Sequence, residues 1–178
     1  MTTIQATKGD ITQQHVDAIV NAANTSLLGG GGVDGAIHHA AGSDLLAECR
    51  NLNGCKTGQA KLTKGYLLPA KYVIHTVGPV WNGGTHNEEQ LLYNAYHNSL
   101  SLAAQNNIRS IAFPNISTGV YHFPKRLAAE TALRAVGDFR KANPDLLTSI
   151  TFVCFDDENY NLYRSLIVQF TNLHSQLE

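Results

Sequence analysis

Val20-Asn21-Ala22-Ala23-Asn24-Thr25-Ser26-Leu27-Leu28-Gly29-Gly30-Gly31-Gly32-Val33-Asp34-Gly35-Ala36-Ile37-His38-His39-Ala40-Ala41-Gly42 is the stretch whose reading decides the fold. It leaves a short apolar run, Val16 to Val20, that reads as a buried strand. It then turns through polar residues, crosses four consecutive glycines and enters a helix-like segment, Val33 to Ala41. A strand, a glycine loop and a helix in that order suit an anion. Glycines bring the backbone close to a ligand with no side chain in front of the N–H groups. The helix N-terminus adds unpaired donors and the positive end of a dipole.

Outward from this unit, strand-like and helix-like segments alternate. Ile4 to Thr7 reads as a strand ending at Gly9-Asp10, and Leu45 to Asn51 continues the helical region. Gln59 to Thr63 and Tyr72 to Val77 read as strands, the second stopped by Gly78-Pro79. Glu88 to Ala104 carries Leu91, Leu92, Ala95, Tyr96, Ser99 and Leu102 at helical spacing. Ser110 to Phe113 is a short strand stopped by Pro114, Leu127 to Arg140 an amphipathic helix, Ser149 to Phe155 a β-branched and aromatic strand, and Glu158 to Leu173 a closing helix. This order predicts an α/β fold with a central, largely parallel sheet covered on both faces. The 178 residues suit one domain spanning 1–178, with no repeat or linker in the pattern.

Composition narrows the function. With 43% hydrophobic and 15% charged residues the chain reads as an ordinary globular protein, and a net charge of −1 favours neither nucleic acid nor an anionic membrane as the main partner. No apolar stretch is long enough to span a bilayer, and residues 1–8 carry no secretory h-region. Cys49, Cys55 and Cys154 form an odd, sparse set, which points to a reducing, cytoplasmic setting rather than a disulfide framework. No spaced histidines complete a zinc site around Cys49 and Cys55, so no metal is expected.

In a parallel sheet, ligands bind beyond the carboxyl ends of the strands. Three such ends stand out: Gly9-Asp10-Ile11; Asn21-Ala22-Ala23-Asn24 with the glycine run; and Pro114-Asn115-Ile116-Ser117-Thr118-Gly119-Val120-Tyr121. Ser117-Thr118-Gly119 is a second donor-rich turn, and two such loops at one edge can clasp a diphosphate. Two familiar nucleotide motifs are excluded. Gly30, Gly32 and Gly35 fit G-x-G-x-x-G, but Asn21 to Gly29 separate them from the strand, and Glu48, at the right distance for a ribose carboxylate, sits in a helical segment. Val33-Asp34-Gly35 stands where a Walker A loop needs Gly-Lys-Ser/Thr.

Taken together, Gly9-Asp10-Ile11-Thr12, Val20 to Asn24, Gly29 to His38 and Ser117 to Tyr121 resemble the macrodomain family. More narrowly they resemble its MacroD-type branch, which includes bacterial O-acetyl-ADP-ribose deacetylases. The resemblance spans nearly the whole chain. It implies a three-layer α/β/α fold with a mixed sheet and one site for ADP-ribose. Asp10 would accept a hydrogen bond from the adenine amino group, and the Ile11 N–H would bond a ring nitrogen. Gly31, Gly32 and Val33 would line the first diphosphate loop, and Ser117, Thr118, Gly119 and Val120 the second. Asn24 would hold the distal ribose, Tyr121 would pack on it, and Phe155 would stack on adenine. Asp34 would position or deprotonate the attacking water, and His38, one turn later, would orient that carboxylate or serve only as a helix residue. His39 and His75 read as structural. One departure is local: after Tyr121 the family often has Gly-Tyr-Pro, and this chain has His122-Phe123-Pro124.

Hydrolysing an ester on ribose needs a water, a group to aim it and a means of stabilising charge. Asp34 is the only carboxylate in the glycine-loop segment, and Asn24 offers a donor and an acceptor. No cysteine or serine is set up as a nucleophile, so the residues favour direct water attack without a cofactor. The functional expectation is a hydrolase releasing acetate from O-acetyl-ADP-ribose, or ADP-ribose from modified acidic side chains of ADP-ribosylated proteins. The alternatives are a binding module that holds ADP-ribose without turnover, and a regulator of ribonuclease III.

Overall fold

The computed structural model describes residues 1–175, so the expected 1–178 span runs past them at 176–178. Six strands, β1 (Thr3–Lys8), β2 (Ala18–Ala22), β3 (Ala60–Lys64), β4 (Tyr72–Thr76), β5 (Ser110–Phe113) and β6 (Ser149–Cys154), form one sheet in the order β1-β6-β5-β2-β4-β3. All neighbours pair in parallel except β3, which runs antiparallel to β4 at the edge. The sheet is thus mixed and largely parallel, as expected.

Helices α1 (Gly32–Ala41) and α2 (Ser43–Arg50) cover one face; α3 (Glu88–Gln105), α4 (Lys125–Ala142) and α5 (Asp157–Ser175) cover the other. Strand alternation decides which residues meet which layer. Ile19 and Val73 turn to α1 and α2, where Ile37 and Leu45 are fully buried. Val20 and Ile74 turn to α3 and α4, where Tyr96, Phe113, Phe152 and Tyr163 form a chain of rings 4.5–5.8 Å apart. Burying each such large apolar side chain is worth about 1.5–3 kcal/mol. No described helix is long and apolar enough to cross a membrane.

One boundary differs from the sequence reading in a way that matters for the site. The second strand runs Ala18–Ala22, not Val16 to Val20, so Asn21 lies inside the sheet, opposite His75 and fully buried. A buried carboxamide in a strand needs hydrogen-bond partners, and those of the Asn21 amide nitrogen, Asp34 and His75, are in the site.

Candidate active site

Because β1, β6, β5, β2 and β4 run the same way, their carboxyl ends line one edge. Along it come, in order, Asp10 after β1, Phe155 after β6, the loop 114–121 after β5 and the glycine loop after β2. With strands about 4.8 Å apart, β1 and β2 are separated by about 14 Å. Sequence-distant residues are thereby laid out in a line of nucleotide length.

At one end of the line, Asp10 caps a 3-10 turn, Ile11–Gln13. Its Oδ1 accepts from the Thr12 N–H at 2.9 Å and the Thr12 hydroxyl at 2.7 Å, while the residue as a whole stays exposed. The side chain is thus fixed and accessible together. Ile11 anchors the turn in the core at 5% exposure, and its N–H is one of those a helix start leaves without an internal carbonyl. Phe155 stands out of the surface at 86% exposure next to them, a large apolar ring with nothing over it among the described residues.

The glycine loop is shaped by Asn24. Its Oδ1 accepts from Ser26 N (3.1 Å), Ser26 Oγ (2.6 Å) and Leu27 N (3.2 Å), and its Nδ2 donates to Gly29 O at 2.9 Å. The second Nδ2 hydrogen is left for another acceptor. Helix α1 begins where the glycines end, and its first backbone bond runs from Gly35 N to Gly31 O at 3.2 Å. The N–H groups of Gly32, Val33 and Asp34 therefore have no intrahelical partner. A Cβ on Gly31 or Gly32 would meet nothing within 4 Å, so the backbone there borders open space. Gly35 is needed for a different reason: its Cβ would come 2.5 Å from Gly30 O, where the loop crosses the helix.

Asp34, in the first turn of α1, is 4% exposed. Its Oδ1 accepts from Asn21 Nδ2 at 2.8 Å. His38 Nε2 lies 3.4 Å from the same oxygen, outside hydrogen-bond geometry, and has no other partner. The other oxygen, Oδ2, faces Gly30: a Cβ there would lie 3.2 Å from Asp34 Oδ2 and 3.3 Å from Asn24 Nδ2. The carboxylate and the carboxamide singled out in the sequence thus converge on one point at the rim of the glycine loop. One Asp34 oxygen is anchored by Asn21, and the other lies beside Gly30.

Behind Asp34 stands a network that sequence reasoning missed. Asn21 Nδ2 also lies 3.1 Å from His75 Nδ1, and His75 Nε2 lies 2.9 Å from Thr63 Oγ1 and 3.8 Å from Cys49 Sγ. Burial, with a smaller contribution from His38, pushes the His75 imidazole down to about 3, so it is neutral. Burial likewise raises the Cys49 thiol to about 11 and keeps it protonated. The signal in the sequence is a pair of polar residues, Asn21 closing one apolar run and His75 inside another.

The second loop is held from below. Ser117 is buried in a left-handed conformation, φ +67°, and its Oγ has no partner. Thr118 Oγ1 donates to Asn115 O at 3.1 Å, while Gly119 and Val120 project outward, Val120 at 86% exposure. Tyr121 is half-buried, and its carbonyl accepts from Trp81 N at 2.9 Å. The 82–86 segment wraps the Glu88 carboxylate, which accepts from Asn82 N, Gly84 N and His86 N. Burial alone would raise Glu88; these backbone donors outweigh it and hold it below the usual carboxylate range. Among the described residues, no cluster of three or more His, Cys, Asp or Glu is arranged for a metal ion. Cys49, Cys55 and Cys154 are free, buried thiols.

Fold and edge together define an α/β protein in which the glycine loop, the 114–121 loop and a buried carboxylate share one sheet edge. The comparisons with known proteins give the family: the Macro domain model matches residues 20–132, and the chain belongs to the macrodomain family. It is 58% identical over 172 residues to the O-acetyl-ADP-ribose deacetylase of Escherichia fergusonii, covering 93% of this chain and 96% of that one. It is 58% identical over 164 residues to the ADP-ribose glycohydrolase MACROD2 of Xenopus laevis, covering 92% of this chain and 39% of that protein. Among solved structures, the Trypanosoma brucei macrodomain in complex with ADP-ribose superposes with a TM-score of 0.87 at 47% identity, covering 92% of this chain and 68% of that one.

Proposed function

We propose that this chain is a hydrolase of ADP-ribose esters, deacetylating O-acetyl-ADP-ribose and releasing mono-ADP-ribose from acidic side chains. The observation that carries the reading is the division of labour in Asp34. Oδ1 is tied to Asn21, and Oδ2 lies beside Gly30 next to Asn24 Nδ2, with no hydrogen-bond partner of its own among the described residues. A binding module needs no buried carboxylate held with one oxygen presented beside an anion site. The relatives named as a deacetylase and a glycohydrolase, at 58% identity, support the same reading.

In this assignment Asp10, the Ile11 N–H and Phe155 hold adenine. Gly31, Gly32 and Val33 on one side, and Ser117 to Val120 on the other, hold the diphosphate with backbone N–H groups. Asn24 and Tyr121 fix the distal ribose. Anchoring the diphosphate and the adenine immobilises the ester beside Asp34, which raises the effective concentration of the reacting groups. Asp34 Oδ2 then orients a water towards the acyl carbon of the ester and accepts its proton as the new C–O bond forms; the ester C–O bond to ribose breaks, and the proton passes to the departing ribose oxygen.

The deciding experiment offers the protein O-acetyl-ADP-ribose and a mono-ADP-ribosylated protein in separate reactions, with products resolved by mass spectrometry. Release of acetate or of free ADP-ribose is the expected result. ADP-ribose binding by calorimetry, with neither substrate turned over, would replace this reading by that of a binding module.

A further inference from the structure

Asp34 is held by a side chain that is itself held, and the partners fix a single direction for every hydrogen in the chain of contacts. Asn21 Nδ2 is the atom 2.8 Å from Asp34 Oδ1 and 3.1 Å from His75 Nδ1. An amide nitrogen has two hydrogens, so it serves both neighbours provided His75 Nδ1 is an acceptor. A neutral imidazole with a bare Nδ1 carries its hydrogen on Nε2, and Nε2 lies 2.9 Å from Thr63 Oγ1. Thr63 can accept that hydrogen because its own hydroxyl is turned to Lys64 O at 3.1 Å. Donation therefore starts at the Asn21 amide nitrogen, one hydrogen going to the Asp34 carboxylate and the other to His75, which donates in turn to Thr63, and Thr63 to the Lys64 carbonyl.

Reversing any member reverses the rest. If His75 carried its hydrogen on Nδ1, it would face the Asn21 NH2 donor to donor, and the amide would flip. Flipping would bring Asn21 Oδ1 against Asp34 Oδ1, oxygen on a carboxylate oxygen. The orientation observed has a cost: Asn21 Oδ1 is buried without a hydrogen-bond partner. An orphaned buried acceptor is destabilising, and it persists here in a strand position where an apolar residue would fit.

We infer that His75 and Thr63 are positioning residues for the hydrolytic step: they lock the Asn21 amide with its nitrogen towards Asp34, and so hold Oδ1 and aim Oδ2. The sheet builds this relay directly. Asn21 and His75 are register partners on β2 and β4, and Thr63 on β3 is the diagonal neighbour of His75, since Lys61 pairs His75 and Thr63 pairs Val73. All three side chains lie on the face covered by α1, which carries Asp34, and α2, which carries Cys49. The neutrality of His75 in its buried setting accords with this role.

The kinetic arm rests on the hydrolase reading and compares three variants. His75→Leu removes the acceptor, His75→Asn offers a carbonyl oxygen near the Nδ1 position, and Thr63→Val frees the tautomer. His75→Leu is expected to lower kcat by about 10–100-fold, the scale of a misaimed catalytic group, with ADP-ribose affinity within about 2-fold of wild type because His75 is fully buried within β4, behind Asp34. Thr63→Val should move kcat in the same direction by less, and His75→Asn should recover part of the loss seen in His75→Leu. Equal losses in His75→Leu and His75→Asn, or an unchanged kcat in folded His75→Leu, would overturn the inference.

A second arm needs no turnover. Nitrogen-15 spectra of the imidazoles in the wild-type protein at neutral pH should show His75 as the Nε2–H tautomer. The Asn21 side-chain amide should exchange slowly in wild type and faster in Thr63→Val. A His75 Nδ1–H tautomer overturns the relay whether or not the protein hydrolyses anything. The expected tautomer in a protein that turns over neither substrate leaves the relay standing and removes the hydrolase reading instead.

Discussion

The glycine loop and the loop after β5 meet the same sheet edge with different backbones. In the first, the positive-φ positions are Leu27 at +60° and two glycines, Gly29 at +93° and Gly32 at +56°; in the second they are Ser117 at +67° and His122 at +59°. Glycine adopts such angles without steric penalty. An L-residue held there costs on the order of 1–2 kcal/mol and persists only when its surroundings dictate it. Those surroundings are visible beneath the second loop. Tyr96 OH accepts from Ile116 N at 3.3 Å, Phe123 N donates to Ser117 O at 2.9 Å, and Trp81 packs edge-on to Phe123 with ring centroids 4.9 Å apart. The first loop borders open space by having little side chain; the second is a strained turn clamped by a packed core. The comparison separates two uses of a loop: the first also carries the chemistry, through Asn24 and Asp34, whereas the second supplies grip.

The largest effect should come from removing the chemistry of the first loop alone. Asp34→Ala is expected to lower kcat by about 10²–10⁴-fold, the usual scale for a general base or water-positioning group. ADP-ribose affinity should fall far less, because the adenine and diphosphate contacts lie elsewhere on the edge. Steady-state kinetics beside calorimetry reads both. A wild-type rate in Asp34→Ala would mean that neither loop holds the catalytic group.

Glycine substitutions sharpen the contrast next. A side chain at Gly32 has no protein atom within 4 Å of its Cβ, so Gly32→Glu should stay folded, with a loss of about 1–2 kcal/mol for the positive φ. It should nevertheless lose ADP-ribose binding, because the carboxylate occupies and repels the diphosphate. Under the second loop the pattern inverts. A Cβ on Gly78 would come 2.1 Å from Ser117 Oγ and 2.5 Å from Ile116 Cγ2. Gly78→Ala should therefore destabilise the fold by about 1–3 kcal/mol, as overpacking does, a Tm shift of about 2–4 °C for each kcal/mol at this size. Thermal melts and calorimetry on both variants make the test: binding kept in Gly32→Glu, or an unchanged melt in Gly78→Ala, breaks the distinction.

The same contrast explains what could be read from the chain. The first loop is written in its own residues: the glycine run, Asn24 and Asp34 are local signals with local causes, and each strand and helix around it was legible from periodicity. The clamp beneath the second loop is not local. Trp81, Tyr96 and Gly78 come from the far side of β4 and from α3, and nothing in their spacing announces that they meet Ser117 or Phe123. Asn21 escaped for a related reason. A strand reading stops at the first polar residue and so ends β2 at Val20, whereas Asn21 continues it with its amide nitrogen held by Asp34 and His75. His75 was read as structural, and its burial agrees; that it sits one amide away from Asp34 follows only from the β2–β4 register.

His122 offers the finest test of the comparison, because it is the second L-residue held at a left-handed position in the loop after β5. It is exposed, sits at φ +59°, and its N–H closes a turn onto Gly119 O at 3.0 Å. His122→Gly would relieve an L-residue of a left-handed conformation, a gain of about 1–2 kcal/mol. It would also free the unfolded chain, which offsets about 0.5–1 kcal/mol of that gain. The net expectation is a protein more stable by up to about 1.5 kcal/mol, or a Tm raised by up to about 6 °C, with ADP-ribose affinity unchanged, since the clamp from Trp81, Phe123 and Tyr96 already sets the loop. Calorimetry and a thermal melt on one variant suffice. A large loss of affinity on introducing glycine would show that the His122 side chain, and not the clamp, holds the second loop in place, and the contrast between a glycine-built and a core-clamped loop would fail at that point.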